Sequence, residues 1–134
     1  MDKVVHFEIP VDDVERARAF YRKVFGWEVV PIDQAEYTLV STTPVDPRTT
    51  GPNAEPLDPG AINGGLMTRS SDTPAPTITI RVDSIDGSLD KIEASGGSVV
   101  TPRTSMQELG AYGYFKDSEG NVIGLFEAPV PGGH

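Results

Sequence analysis

The chain has no cysteine, which excludes a disulfide framework, a thiolate nucleophile and any thiolate metal site. Histidine is nearly as scarce, at two residues, His6 and His134, so chemistry built on clustered imidazoles has little to draw on. No apolar run approaches the roughly 18–20 residues that span a bilayer, and the opening MDKVVHFEIP lacks the long apolar segment of a secretory signal. The expected location is the cytoplasm, with no membrane partner. Positive charge is also short. Lys and Arg number 11 against 20 Asp and Glu, for a formal net charge of -9, and nothing forms the basic stripe that neutralises phosphates. No nucleic-acid partner is expected, and a neutral or cationic small molecule is the easier electrostatic match.

What is present is enough for one folded unit. The 134 residues fit a single domain with a real core, and the Val, Ile, Leu, Phe and Tyr residues recur in periodic groups rather than being depleted. The chain also repeats itself. IPVDDVERARAFYRKVFGWEVV, residues 9–30, lies over IRVDSIDGSLDKIEASGGSVV, residues 80–100, at a constant offset of 71 that pairs Val11 with Val82, Asp12 with Asp83, Val14 with Ile85 and Val29 with Val100.

Each copy reads strand, acidic turn, helix, glycine, strand. Asp12 is the expected N-cap of the first helix, with Glu15 three residues on. Val14, Ala17, Tyr21, Val24 and Phe25 share one face of that helix and Gly26 ends it. In the second helix Ile85, Leu89 and Ile92 repeat at helical spacing before Gly96 and Gly97. Strand-like runs follow each helix: WEVVPI, EYTLVST and NGGLMTR, then GSVVTPR, AYGYFKD and NVIGLFEA. The reading is therefore an α+β chain of two tandem βαβββ modules, 1–69 and 77–128, with a linker at 70–76 and a tail at 129–134. Residues 43–60 carry five prolines and no period, too long for an ordinary hairpin and expected to be a lid or an excursion.

The opening VVHFEIPVDDVERARAFYRKVFGW and the close FKDSEGNVIGLFEA, on paired βαβββ modules, resemble the vicinal oxygen chelate superfamily of glyoxalases, bleomycin-resistance proteins and extradiol dioxygenases. The resemblance implies sheets curled into half-barrels with helices outside, and concave faces that enclose a site. It implies no single activity, because the superfamily hosts lyases, isomerases, dioxygenases and non-catalytic binders.

Strand alternation assigns faces. Val5, Phe7, Ile9 and Val11 are expected to cover the first helix, leaving Val4, His6 and Glu8 on the other side. By the offset, Ile78, Ile80 and Val82 cover the second helix, while Thr77, Thr79 and Arg81 face the site. In the last strand Ile123 and Leu125 are core, and Val122, Gly124 and Phe126 face the site.

Metal-dependent members of the superfamily place ligands on the first and last strands of each module. The matching positions here are His6, Gly65, Thr77 and Gly124. One ligand-type residue of the four is present, and glycine offers no donor. No tightly bound metal or other cofactor is expected. The alternative is a divalent metal held by His6 with displaced carboxylates such as Glu8, Glu108 or Glu127, serving a lyase, isomerase or dioxygenase. Recruiting His134 from the Gly-Gly tail is disfavoured.

Other chemistry rests on few residues. His6 and Glu8 project the same way, so an imidazole with a carboxylate neighbour can act as general base. The competing reading is a half-buried histidine bonded to a nearby strand. Arg81 can fork onto a ligand carboxylate or pair with a surface acid. Tyr112 and Tyr114 are expected to stack on a ligand, Phe126 to face the same site, Phe115 to be core, and Met67 and Arg69 to extend the same surface, with Trp27 structural. No phosphate loop or nucleophile elbow occurs. The expected function is small-molecule binding in the cavity between the modules. Unpaired edge strands make a homodimer the expected state.

Overall fold

The alternating run KVVHFEIPV forms strand β1 (Lys3–Val11), in a computed structural model that describes residues 1–32, 37–49 and 55–130. The elements that follow are α1 (Val14–Phe25), β2 (Glu28–Ile32), β3 (Tyr37–Ser41) and β4 (Asn63–Thr68), then β5 (Thr77–Arg81), α2 (Ile85–Ala94), β6 (Ser98–Ser105), a 3-10 turn at Gln107–Leu109, β7 (Ala111–Lys116) and β8 (Val122–Glu127). This is βαβββ twice, an α+β architecture. Contacts divide the chain into two compact units, residues 6–76 and residues 1–5 with 77–134. Among the described residues no helix is long and apolar enough to cross a membrane.

Within the first unit the strand order is β2-β3-β4-β1, with β4 parallel to β1 and antiparallel to β3. Helix α1 packs on one face, where Val11, Val29, Val40 and Leu66 are buried together with Phe7, Ile9, Val14, Ala17, Tyr21 and Trp27 around them. Trp27 stacks on Tyr21 at a centroid distance of 5.0 Å and 3° between ring planes, the structural role expected of it. Arg18 ties the helix to β3 by donating to the buried Thr38 hydroxyl at 3.2 Å.

Three expectations for this helix are corrected. The N-cap is Asp13, whose carboxylate accepts from the Arg16 backbone N–H at 3.1 Å. Asp12 instead pairs with Arg69 at 2.9 Å. Val24 and Phe25, whose spacing puts them on the buried face, are 54% and 59% exposed, because the helix meets the sheet along the narrower stripe of Val14, Ala17 and Tyr21. Gly26 ends the helix at φ 72°, a left-handed cap that glycine adopts without strain.

The second unit has strand order β5-β8-β7-β6, with β8 parallel to β5 and antiparallel to β7. Its core is Val82, Ile85, Leu89, Ala111, Phe115 and Leu125, with Ile80, Ile92, Val99 and Ile123 against it. Ser84 caps α2 by accepting from Gly87 N–H at 3.0 Å, and Glu127 adds a second cap by accepting from Ile85 N–H at 2.9 Å. Ile78 departs from expectation. It is 40% exposed and lies outside the core, at the start of β5 where α2 does not reach.

The register shows the internal repeat directly. Ile9 pairs with Leu66 and Ile80 with Leu125; Glu8 pairs with Gly65 and Thr79 with Gly124. The offset of 71 along the first strands thus superposes the last strands as well. The described parts of the proline-rich segment clip together through a Val45–Pro56 bridge and an Asp46 N–H to Glu55 carbonyl bond of 2.8 Å; positions 50–54 lie outside the described residues.

Candidate functional site

The face of the first unit turned away from α1 follows from β-strand alternation. With Phe7, Ile9 and Val11 committed to the core, His6, Glu8 and Pro10 stand on the opposite face of β1. The register places Gly65 beside Glu8, Met67 beside Pro10, and Tyr37 and Leu39 beside Met67 and Gly65. On β2, Val30 and Ile32 pair with Leu39 and Tyr37. Val30 and Leu39 are 56% and 43% exposed, so this face carries an uncovered apolar wall beside its polar residues.

At the centre of the face three side chains join. His6 Nε2 and the Tyr37 hydroxyl lie 2.6 Å apart, and the same hydroxyl donates to Glu8 Oε2 at 3.1 Å. Glu8 is buried and His6 half-buried. Burial pushes the His6 imidazolium down to about 4 from an ordinary 6.5, because a charged ring loses its hydration there. His6 is therefore neutral at physiological pH.

Tyr37 stands on β3 and its partners on β1, with β4 between them. The ring crosses β4 over Gly65, where any Cβ would overlap the Tyr37 ring carbons and hydroxyl. Gly65, which offers a metal no donor, makes room for a tyrosine ring, a close approach that a strand glycine permits. Tyr37 is the member of this hydrogen-bonded cluster that sequence reasoning missed. A signal existed: β3 and β7 superpose with Tyr37 at the position of Tyr112, since Tyr37 pairs with Met67 and Tyr112 with Phe126.

Other predicted residues fall elsewhere. In the first unit, Met67 is half-buried beside Pro10 and Tyr37. Arg69, expected on the same surface, instead bonds Asp12 and the Pro74 carbonyl, and lines a cleft of about 290 Å³ with Arg16, Phe20 and Tyr21. A cleft of about 240 Å³ in the second unit lies between α2 and its sheet. Neither cleft touches His6, Glu8 or Tyr37.

In the second unit Thr77 is buried and donates to the Val122 carbonyl at 2.6 Å. Gly124 admits the Thr79 hydroxyl, which would stand 2.8 Å from a Cβ there. Tyr112 and Tyr114 meet edge to face at 6.0 Å, with Phe126 buried beside Tyr112. Arg81 is half-buried at the end of β5, opposite Phe126.

These residues do not fit a resident divalent metal. At the superfamily's ligand positions, Gly65 lies under Tyr37, Thr77 spends its hydroxyl on backbone, Gly124 abuts Thr79, and His6 commits Nε2 to Tyr37. Glu127, a conceivable substitute, is held by Arg103 at 2.9 Å and by the start of α2, which keep its carboxyl below the usual range. Among the described residues no three His, Asp or Glu side chains gather closely enough to hold an ion. His134 lies outside the described residues.

Comparison with known proteins agrees with the fold. Residues 3–43 match the family described as bleomycin resistance protein-like N-terminal. A protein of Mycobacterium tuberculosis provisionally named glyoxylase CFP32 is 26% identical over 131 residues, 90% of this chain. The chain spans 44% of that relative's length. Methylmalonyl-CoA epimerase from Mycobacterium tuberculosis superposes with a TM-score of 0.58 at 19% identity, over 96% of this chain and 88% of that one. A glyoxalase/bleomycin resistance protein/dioxygenase superfamily member from Vibrio splendidus superposes at 0.57 with 13% identity, over 95% and 98%. This chain therefore has the fold of the glyoxalase/bleomycin resistance protein/dioxygenase superfamily structures, and its residues 3–43 are similar to the bleomycin resistance protein-like N-terminal family.

Proposed function

We propose that the open face of the first unit binds a small organic molecule without a tightly held metal. The observation that carries this reading is the pairing of an exposed apolar wall, Val30, Ile32 and Leu39, with a hydrogen-bonded polar centre, His6, Tyr37 and Glu8. Binding sites for small molecules combine apolar lining with a few placed polar groups. Exposed apolar side chains gathered on one sheet face need a covering partner more than scattered ones do. The net charge of -9 favours neutral or cationic ligands. The relationship to bleomycin resistance proteins supports a binding role.

Thermal-shift screening with small aromatic and cationic compounds tests the reading. A ligand present at about 100 times its dissociation constant stabilises the fold by about 2.7 kcal/mol. Loss of that shift in Leu39→Asp, with the unliganded melt kept, assigns it to this face. A library that leaves the melt unmoved overturns the reading.

A further inference from the structure

Tyr37 has one hydroxyl proton, and Glu8 accepts it. The short contact from His6 Nε2 to the same oxygen then needs its proton from the imidazole, so Nε2 carries the hydrogen and Nδ1 keeps the lone pair. Among the described residues Nδ1 has no hydrogen-bond partner, and no buried side-chain nitrogen or oxygen is left unsatisfied. Nδ1 is therefore an acceptor that is not fully buried and has no partner among the described residues.

We propose that the Glu8–Tyr37–His6 chain fixes His6 in the Nε2–H tautomer and presents Nδ1 as the site's acceptor, so that the site selects ligands carrying a hydroxyl or N–H donor beside an apolar group. This rests on the ligand-binding reading above and sharpens it to a chemical class. Carboxylates and phosphates are disfavoured, because the lone pair of Nδ1 and the charge of Glu8 both oppose an anion. A ligand without a donor covers Nδ1 and leaves it unpaired, which costs more than the hydrogen bond itself contributes. Tyr37 is a positioning residue in this scheme: it acts through His6 and holds the ring's tautomer.

The 134-residue chain, labelled with nitrogen-15, is examined at neutral pH by long-range proton–nitrogen NMR of the histidine rings, with His134→Asn removing the second histidine's signals. Phenol and anisole, which differ by one methyl on the oxygen, are then titrated. The expected spectrum places the proton on Nε2. Phenol moves the Nδ1 resonance, and anisole binds at least about tenfold more weakly. Tyr37→Phe lets both tautomers appear and shrinks the advantage of phenol. A proton found on Nδ1 overturns the tautomer assignment. Equal affinity for phenol and anisole overturns the donor rule while leaving the ligand face standing. If neither compound binds at millimolar concentration, the donor rule fails together with the reading beneath it.

Discussion

Acidification should destabilise this protein through His6 in a way that a single substitution isolates. The folded imidazole titrates at about 4 and the unfolded one at 6.5, so between those values the unfolded chain binds a proton that the folded chain refuses. Stability therefore rises with pH across this window, is complete above about 6.5, and is lost as pH falls toward 4. At about 1.4 kcal/mol per pKa unit the full effect is on the order of 3 kcal/mol; at about pH 5 some 2 kcal/mol of it is already gone. Urea unfolding of the wild type and His6→Asn, each near pH 7 and pH 5, separates this from the 20 acidic side chains, which titrate in both proteins. The wild type should lose about 2 kcal/mol more than the variant. Equal losses in both, or a His6 resonance titrating at or above 6.5, would show that Glu8 rather than burial governs the ring, and would refute the reasoning.

Gly65→Ala places a methyl where the Tyr37 ring lies. It should cost about 1–3 kcal/mol by breaking the His6–Tyr37–Glu8 chain, and the Tyr37 ring resonances should move even where the fold survives. Asp13→Ala and Ser84→Ala each remove a side-chain N-cap and should cost about 1 kcal/mol in chemical denaturation. The Ser84 loss should be the smaller, because Glu127 still caps Ile85. Metal analysis of protein purified without chelators or metal-affinity resin should find well under one equivalent of Zn, Ni, Fe or Mn, and a stoichiometric, tightly held ion would contradict the reading of Gly65 and Gly124.

The sequence carried the fold through two independent periodicities, the period-2 alternation of β1 and the offset of 71 between modules, which the observed register repeats at Ile9–Leu66 and Ile80–Leu125. It was less reliable at element ends. Asp12 and Asp13 are chemically equal as caps, and only the geometry of the turn selects Asp13. Val24 and Phe25 have the right spacing for burial, but helical periodicity reports a direction and not how far the sheet extends beneath it. At the site, His6, Glu8 and Gly65 were singled out and do adjoin one another across β1 and β4. Tyr37 escaped because it reaches them across an intervening strand. Such a contact leaves no mark in local pattern; its marks are the size of the residue crossed and the repeat that sets Tyr37 against Tyr112.

The central claim is that a small molecule occupies the open face of the first unit. Amide and methyl NMR spectra of the full chain, recorded with the best compound from the thermal screen, test it most directly. The account predicts shifts concentrated at His6, Val30, Tyr37, Leu39 and Met67. Shifts confined to residues 77–130, or to the cleft lined by Asp12, Arg16 and Arg69, would contradict it.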